Sequence, residues 1–98
     1  MSFALYFAPS AKATLQSLKN SPNLQKRFKA VAKAIRLLIE NPKHPSLQTH
    51  KYQSLKGLQG EEVFEAYAEQ HTPAAYRIFF IYGPGKNALT IIAITPHP

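Results

Sequence analysis

The sequence predicts an α+β fold, with an N-terminal strand, a two-helix hairpin and a three-stranded antiparallel meander forming one sheet backed by the helices. Three observations predict it. Apolar residues alternate in the opening "SFALYFAP", they recur at helical spacing between Leu24 and Leu38, and two β-rich runs flank "GPGKNA" near the C-terminus.

Phe3, Leu5 and Phe7 alternate with Ala4 and Tyr6, the period of a half-buried strand, and Pro9 closes that strand. A short helix follows, carrying Ala11, Leu15 and Leu18 on one side up to the break at "KNSP". A longer helix comes next, with Ser21 as N-cap and Pro22 in the first helical position. Leu24, Phe28, Val31, Ile35 and Leu38 form its apolar face, and Lys26, Lys29, Lys33 and Arg36 lie opposite. Pro42 disfavours helical geometry at Asn41, so the helix stops near Glu40. Residues 41–60, "NPKHPSLQTHKYQSLKGLQG", show no clean period and read as a polar, basic connector. "EEVFEAYAE" reads as a strand with Val63, Glu65 and Tyr67 on one face and Phe64, Ala66 and Ala68 on the other. After the turn region "QHTPA", "AYRIFFIYG" and "LTIIAIT" pair as a hairpin.

A chain of 98 residues is expected to form one domain, residues 1–98, around a single core. It has no cysteine, so disulfides and thiolate metal sites are excluded. No apolar run reaches membrane-spanning length, and no basic stretch precedes the first apolar residues, so a soluble cytoplasmic protein is expected. Twelve Lys and Arg against five Asp and Glu give a net charge of +7, which favours a polyanionic partner such as nucleic acid, or an acidic protein.

The order of elements, the opening "LYFAPSAKATLQSL", the "AYRIFFIYG" strand and the short last strand resemble the RelE/ParE superfamily of bacterial toxin–antitoxin systems, over essentially the whole chain. The resemblance implies a RelE-like fold. It leaves two activities open, because the superfamily holds both ribosome-dependent mRNA endonucleases and gyrase poisons on one scaffold. A third alternative is a degenerate relative that survives as a binding module. The endonuclease branch implies RNA cleavage by attack of the 2′-hydroxyl on the adjacent phosphate. That reaction needs a base, an acid and fixed cations, and no cofactor or metal. Carried over by position, the resemblance assigns Arg77 to the phosphate, His50 and Lys51 on the connector with Glu65 or Tyr67 on the next strand to assisting roles, and His97 to acid or base. The partners it implies are mRNA, the ribosome and a cognate antitoxin, in a possible toxin–antitoxin oligomer.

Strand parity tests whether these residues can meet. Arg77 and His97 are both odd-numbered, so a hairpin pairing Phe79 with Ala93 sends both to one sheet face. Odd-to-odd pairing of the preceding hairpin adds Glu65 and Tyr67. Pro96 and Pro98 would hold His97 extended. Each residue also has a plainer reading: Arg77 as a partner for Glu65, His97 as a frayed end, His50 and Lys51 as a solvated basic loop, the lysine stripe as an ordinary helix surface. His44 and His71 receive no role, and the four histidines are too scattered for a metal site. "RIFFIY" is apolar on both faces, while the helices cover only one. The other face is expected to meet an antitoxin segment or a second copy, or to lie partly under the connector.

Overall fold

The structure, a computed structural model, describes residues 2–97. Strand β1 (Ala4–Phe7) leads into helix α1 (Pro9–Asn20); a 3₁₀ turn (Pro22–Leu24) opens helix α2 (Gln25–Glu40). A second 3₁₀ turn (Pro45–Leu47) precedes β2 (His50–Lys56), β3 (Glu62–Tyr67), β4 (Tyr76–Tyr82) and β5 (Ala88–Pro96). The five strands make one mixed sheet in the order β1, β5, β4, β3, β2. Neighbours are antiparallel except β1 and β5, which run parallel because the helical hairpin carries the chain across the sheet between them.

The expected three-stranded meander is therefore four strands, and the sheet has five. The addition is β2, inside the segment read as a connector. Of its seven residues only Tyr52 is even half-buried, so no apolar alternation marks the strand. Its pairing is also irregular. His50 faces Glu65 and Lys51 faces Phe64, but the next pair is Lys56 with Glu62, so residues 52–55 arch out against Val63 alone.

One sheet face holds the core. Ala66, Ile78, Phe80, Leu89, Ile91 and Ile94 pack against Ala11, Leu18, Val31, Ala34, Ile35 and Leu38 of the helices, with Leu47 closing the end. Burying each large side chain of this set stabilises the fold by about 1.5–3 kcal/mol. A β-bulge makes the packing possible. Phe79 faces Ala93, as the parity argument requires, but Phe80 faces Ile91, which leaves Ile92 as the extra residue. The phase of β5 reverses there, so Leu89 and Ile91 before the bulge and Ile94 after it all reach the same core.

Helix α2 starts differently from the expected Ser21 cap. Ser21 Oγ donates to Ser17 O at 2.7 Å, as hydroxyls often do near the end of a helix, and makes no cap bond to α2. Gln25 instead donates to Lys19 O at 2.8 Å and Ser21 O at 2.9 Å, joining the start of α2 to the end of α1. The helices are also closer in length than expected, 12 and 16 residues.

The face away from the helices is partly covered by the chain itself. The Tyr52 ring, carried over β3 by the arch in β2, meets Phe79 edge-on at 4.8 Å. Val63 and Phe79 are buried, whereas Ile81 and Ile92 stay half-buried.

Candidate functional site

The register places the site. His50 lies opposite Glu65, Glu65 opposite Phe79, Tyr67 opposite Arg77 and Arg77 opposite Thr95, so all these side chains leave the sheet on the face away from the helices. Glu65 is the centre. Its side chain is 4% exposed, and its two oxygens are held by different side chains: Arg77 Nη1 donates to Oε2 at 2.7 Å, and His50 Nε2 lies 2.8 Å from Oε1. An ionised carboxylate this deep requires a paired charge, and the short bond from the Arg77 guanidinium supplies it.

His50 is fixed at both nitrogens, since Nδ1 lies 2.9 Å from the carbonyl oxygen of Gln48. Both neighbours are acceptors, so whichever ring nitrogen carries the proton has a partner in place. Its other contact is the Tyr67 ring, 5.8 Å away between centroids. Gln48 takes the left-handed conformation (φ 48°) that ends the second 3₁₀ turn and directs β2 towards Glu65.

Arg77 is 15% exposed and lies in an aromatic slot, with its guanidinium carbon 4.9 Å from the Phe79 ring centre and 5.9 Å from that of Tyr52. Its Nε is buried and has no hydrogen-bond partner. Aromatic walls and the salt bridge hold the guanidinium plane in place while leaving a donor unused.

His97 follows the end of β5, where its backbone N–H donates to Ala75 O at 2.8 Å. That places it two pairs beyond Arg77 and Thr95, past Tyr76 and Pro96, a diagonal step of about 7–8 Å between backbones. Its side chain lines a cavity of about 610 Å³ together with Tyr67, Gln48, Glu69, Gln70 and residues 71–75. Pro96 ends β5 as the strand-closing residue, and Pro98 lies outside the described residues.

The structure thus brings His50, Glu65, Tyr67 and Arg77 into one cluster and sets His97 on the cavity beside it. Lys51 stands apart. As the next residue along the strand it leaves the opposite side, facing Phe64, and its Nζ lies 3.5 Å from Glu62. Two residues that the sequence did not suggest belong to the surroundings. Tyr52 roofs Arg77 from β2, and Arg27 on α2 grips the β3–β4 loop. Neither contact leaves a local mark, because each joins residues brought together only by the fold.

No family model matches this chain, and no curated protein is similar to it in sequence. Solved structures are similar in fold. The YoeB/ParE toxin from Agrobacterium tumefaciens superposes with a TM-score of 0.69 at 13% identity, over 97% of this chain and 99% of that one. A chain of the archaeal RelE–RelB complex from Pyrococcus horikoshii OT3 gives 0.66 at 15%, over 98% and 96%. The YoeB dimer from Staphylococcus aureus gives 0.68 at 13%, over 100% of both chains. The chain has the fold of the RelE/ParE toxins.

Proposed function

We propose that this protein is the toxin of a bacterial toxin–antitoxin pair, and that it acts in the cytoplasm by cleaving mRNA on the ribosome. One observation carries the reading. A buried carboxylate, Glu65, is held by a guanidinium at 2.7 Å and an imidazole at 2.8 Å on a strongly basic protein, with a second imidazole on the adjoining cavity. Base, phosphate-binding cation and acid are the three parts that cleavage by a 2′-hydroxyl needs.

In this mechanism the scissile phosphate exchanges with Glu65 as the partner of Arg77. The guanidinium turns to the non-bridging oxygens, offering Nη1 and the unpartnered Nε, and Glu65 Oε2 is freed. Oε2 then takes the proton of the 2′-hydroxyl. The 2′-oxygen attacks phosphorus, Arg77 stabilises the charge of the phosphorane, and the bond to the 5′-oxygen breaks. His97 donates a proton to that oxygen, leaving a 2′,3′-cyclic phosphate and a 5′-hydroxyl. His50 keeps Glu65 in position throughout, and Tyr67 fixes the His50 ring. Coupling release of the base to phosphate binding keeps the resting site inactive. Removing the acid or base is expected to slow cleavage about 10²–10⁴-fold.

In this reading the toxin's partner is an acidic antitoxin segment that docks beside the half-buried Ile81 and Ile92 on the exposed sheet face. The neighbours solved as a RelE–RelB complex and as a YoeB dimer support a protein partner and self-assembly. The rival reading is a gyrase inhibitor that performs no cleavage, supported by the ParE name of one neighbour. Parallel assays separate the two. mRNA cleavage on programmed ribosomes, lost in Arg77→Ala and His97→Ala, supports the endonuclease. Inhibition of supercoiling that survives both substitutions, with message intact, supports the gyrase reading.

A further inference from the structure

We propose that the cavity between His97 and the β3–β4 loop is a nucleobase subsite, and that Arg27 is the positioning residue that builds its outer wall. The inference rests on the RNA-cleaving reading for its biological meaning, but its physical basis is separate.

The wall is residues 69–75, part of a loop that would not hold this shape alone. His71 and Ala74 both take left-handed backbone conformations, φ 59° and 54°. For a residue with a Cβ such as Ala74 this costs roughly 1–2 kcal/mol. Arg27, on α2, holds the loop against that cost. Nη1 donates to Ala74 O at 2.7 Å and to Glu69 Oε1 at 3.1 Å, and Nη2 donates to Pro73 O at 3.1 Å. Glu69 Oε1 also accepts from the backbone N–H of Tyr76 at 3.0 Å, and Gln70 Nε2 donates to Ser46 O at 2.6 Å. One arginine thus ties a strained loop to the helix layer through three acceptors. A loop with a surface role alone has no need of such a clamp, and strain held in place by its surroundings is common at ligand sites.

The chemistry of the cavity indicates its occupant. Its volume of about 610 Å³ exceeds that of one flat heterocycle, and the residues that line it include Tyr67, His71, His97, Gln48 and Gln70. Rings offer stacking faces, while backbone groups and amides offer both donors and acceptors, as base edges do. Glu69, its one carboxylate, is already engaged by Arg27 and Tyr76. The cavity therefore holds no unengaged carboxylate to repel a nucleotide, and it adjoins the cluster of Arg77, Glu65 and His50 through Tyr67, which contacts His50 and lines the cavity. A slot lined by aromatic residues next to the Arg77 guanidinium matches a nucleotide, with its base in the slot and its phosphate on Arg77.

The test uses NMR titration of the full chain with adenosine, guanosine, cytidine and uridine 3′-monophosphates, against ribose 5-phosphate and inorganic phosphate. The nucleotides are expected to shift the amides of residues 70–72, 74 and 75 together with Tyr67 and His97. Both phosphate controls should shift residues around Arg77 and His50, Tyr67 and His97 included, and leave the amides of residues 70–72, 74 and 75 in place. Arg27→Lys keeps the charge but not the three-way grip, and should weaken nucleotide binding about tenfold while leaving the phosphate response unchanged. Gln70→Ala, which releases the loop at a second point, should act in the same direction. Identical footprints for nucleotides and inorganic phosphate would overturn the proposal, as would unchanged nucleotide binding in both variants. Because no ribosome is present, the titration separates the two readings. A base-dependent footprint in a protein that never cuts message keeps the subsite and removes the nuclease, and cleavage with no base-dependent footprint does the reverse.

Discussion

Replacing Arg77 with methionine keeps much of the side-chain length and removes the charge opposite Glu65. The carboxylate is 4% exposed and would retain His50 as its partner, whose side chain is 47% exposed. Removing one member of a buried ion pair costs about 3–5 kcal/mol. The guanidinium here is 15% exposed and His50 remains, so solvent screening puts the expected loss lower, at about 2–3 kcal/mol. Domains of this size have roughly 5–15 kcal/mol in total, so the melting temperature should fall by about 10–20 °C. Glu65→Leu should cost a similar amount, because it leaves Arg77 without its carboxylate between two aromatic rings. The double variant should recover most of one loss, giving a coupling energy of about 2 kcal/mol. Urea denaturation of the four proteins, followed by far-ultraviolet circular dichroism, measures the cycle. Single losses below about 0.5 kcal/mol that simply add would show that the pair is not buried as described and would refute the reasoning.

His97→Ala should lower ribosome-dependent cleavage about 10²–10⁴-fold with little change in urea midpoint, since the residue lies beyond the last strand; a coupled fall in both would mean a structural role. Tyr52→Ala removes the ring that covers Phe79 and Arg77, and should cost about 2–4 kcal/mol in denaturation while reducing cleavage. Burial raises the Tyr82 hydroxyl above its ordinary value of 10.0, so the unfolded chain ionises first and stability is lost as pH rises through and beyond 10. Tyr82→Phe should therefore flatten the alkaline limb of the stability profile, measured by melting temperature between pH 8 and about 11. Leu38→Ala, at a fully buried position under the sheet, should cost about 2–5 kcal/mol in the same denaturation assay.

Much of the architecture was legible because it depends on local period. The alternation in "SFALYFAP" and the apolar spacing along α2 each identify one element, and parity alone carries Arg77, Glu65 and Tyr67 to one face. What was hidden depends on contacts between distant residues. β2 is an edge strand solvated on both sides, so its sequence has no apolar rhythm, and its arch over Val63 follows from packing that no short window contains. The bulge at Ile92 is equally silent, because "TIIAI" reads as an unbroken apolar run whichever side each residue takes. Recognising β2 would have separated His50 from Lys51, since neighbours on a strand leave opposite faces. The Arg27 clamp gives no local signal at all, as its acceptors lie on a loop more than forty residues further along the chain.

The chemistry of the cut end tests the proposed activity most directly. Message cleaved by this protein on programmed ribosomes should carry a 2′,3′-cyclic phosphate or its opened monophosphate on the upstream fragment and a 5′-hydroxyl on the downstream one, with yield falling at least about 10²-fold in Glu65→Gln. A 3′-hydroxyl with a 5′-phosphate, or full cleavage by Glu65→Gln, would contradict a mechanism in which that carboxylate activates the 2′-hydroxyl.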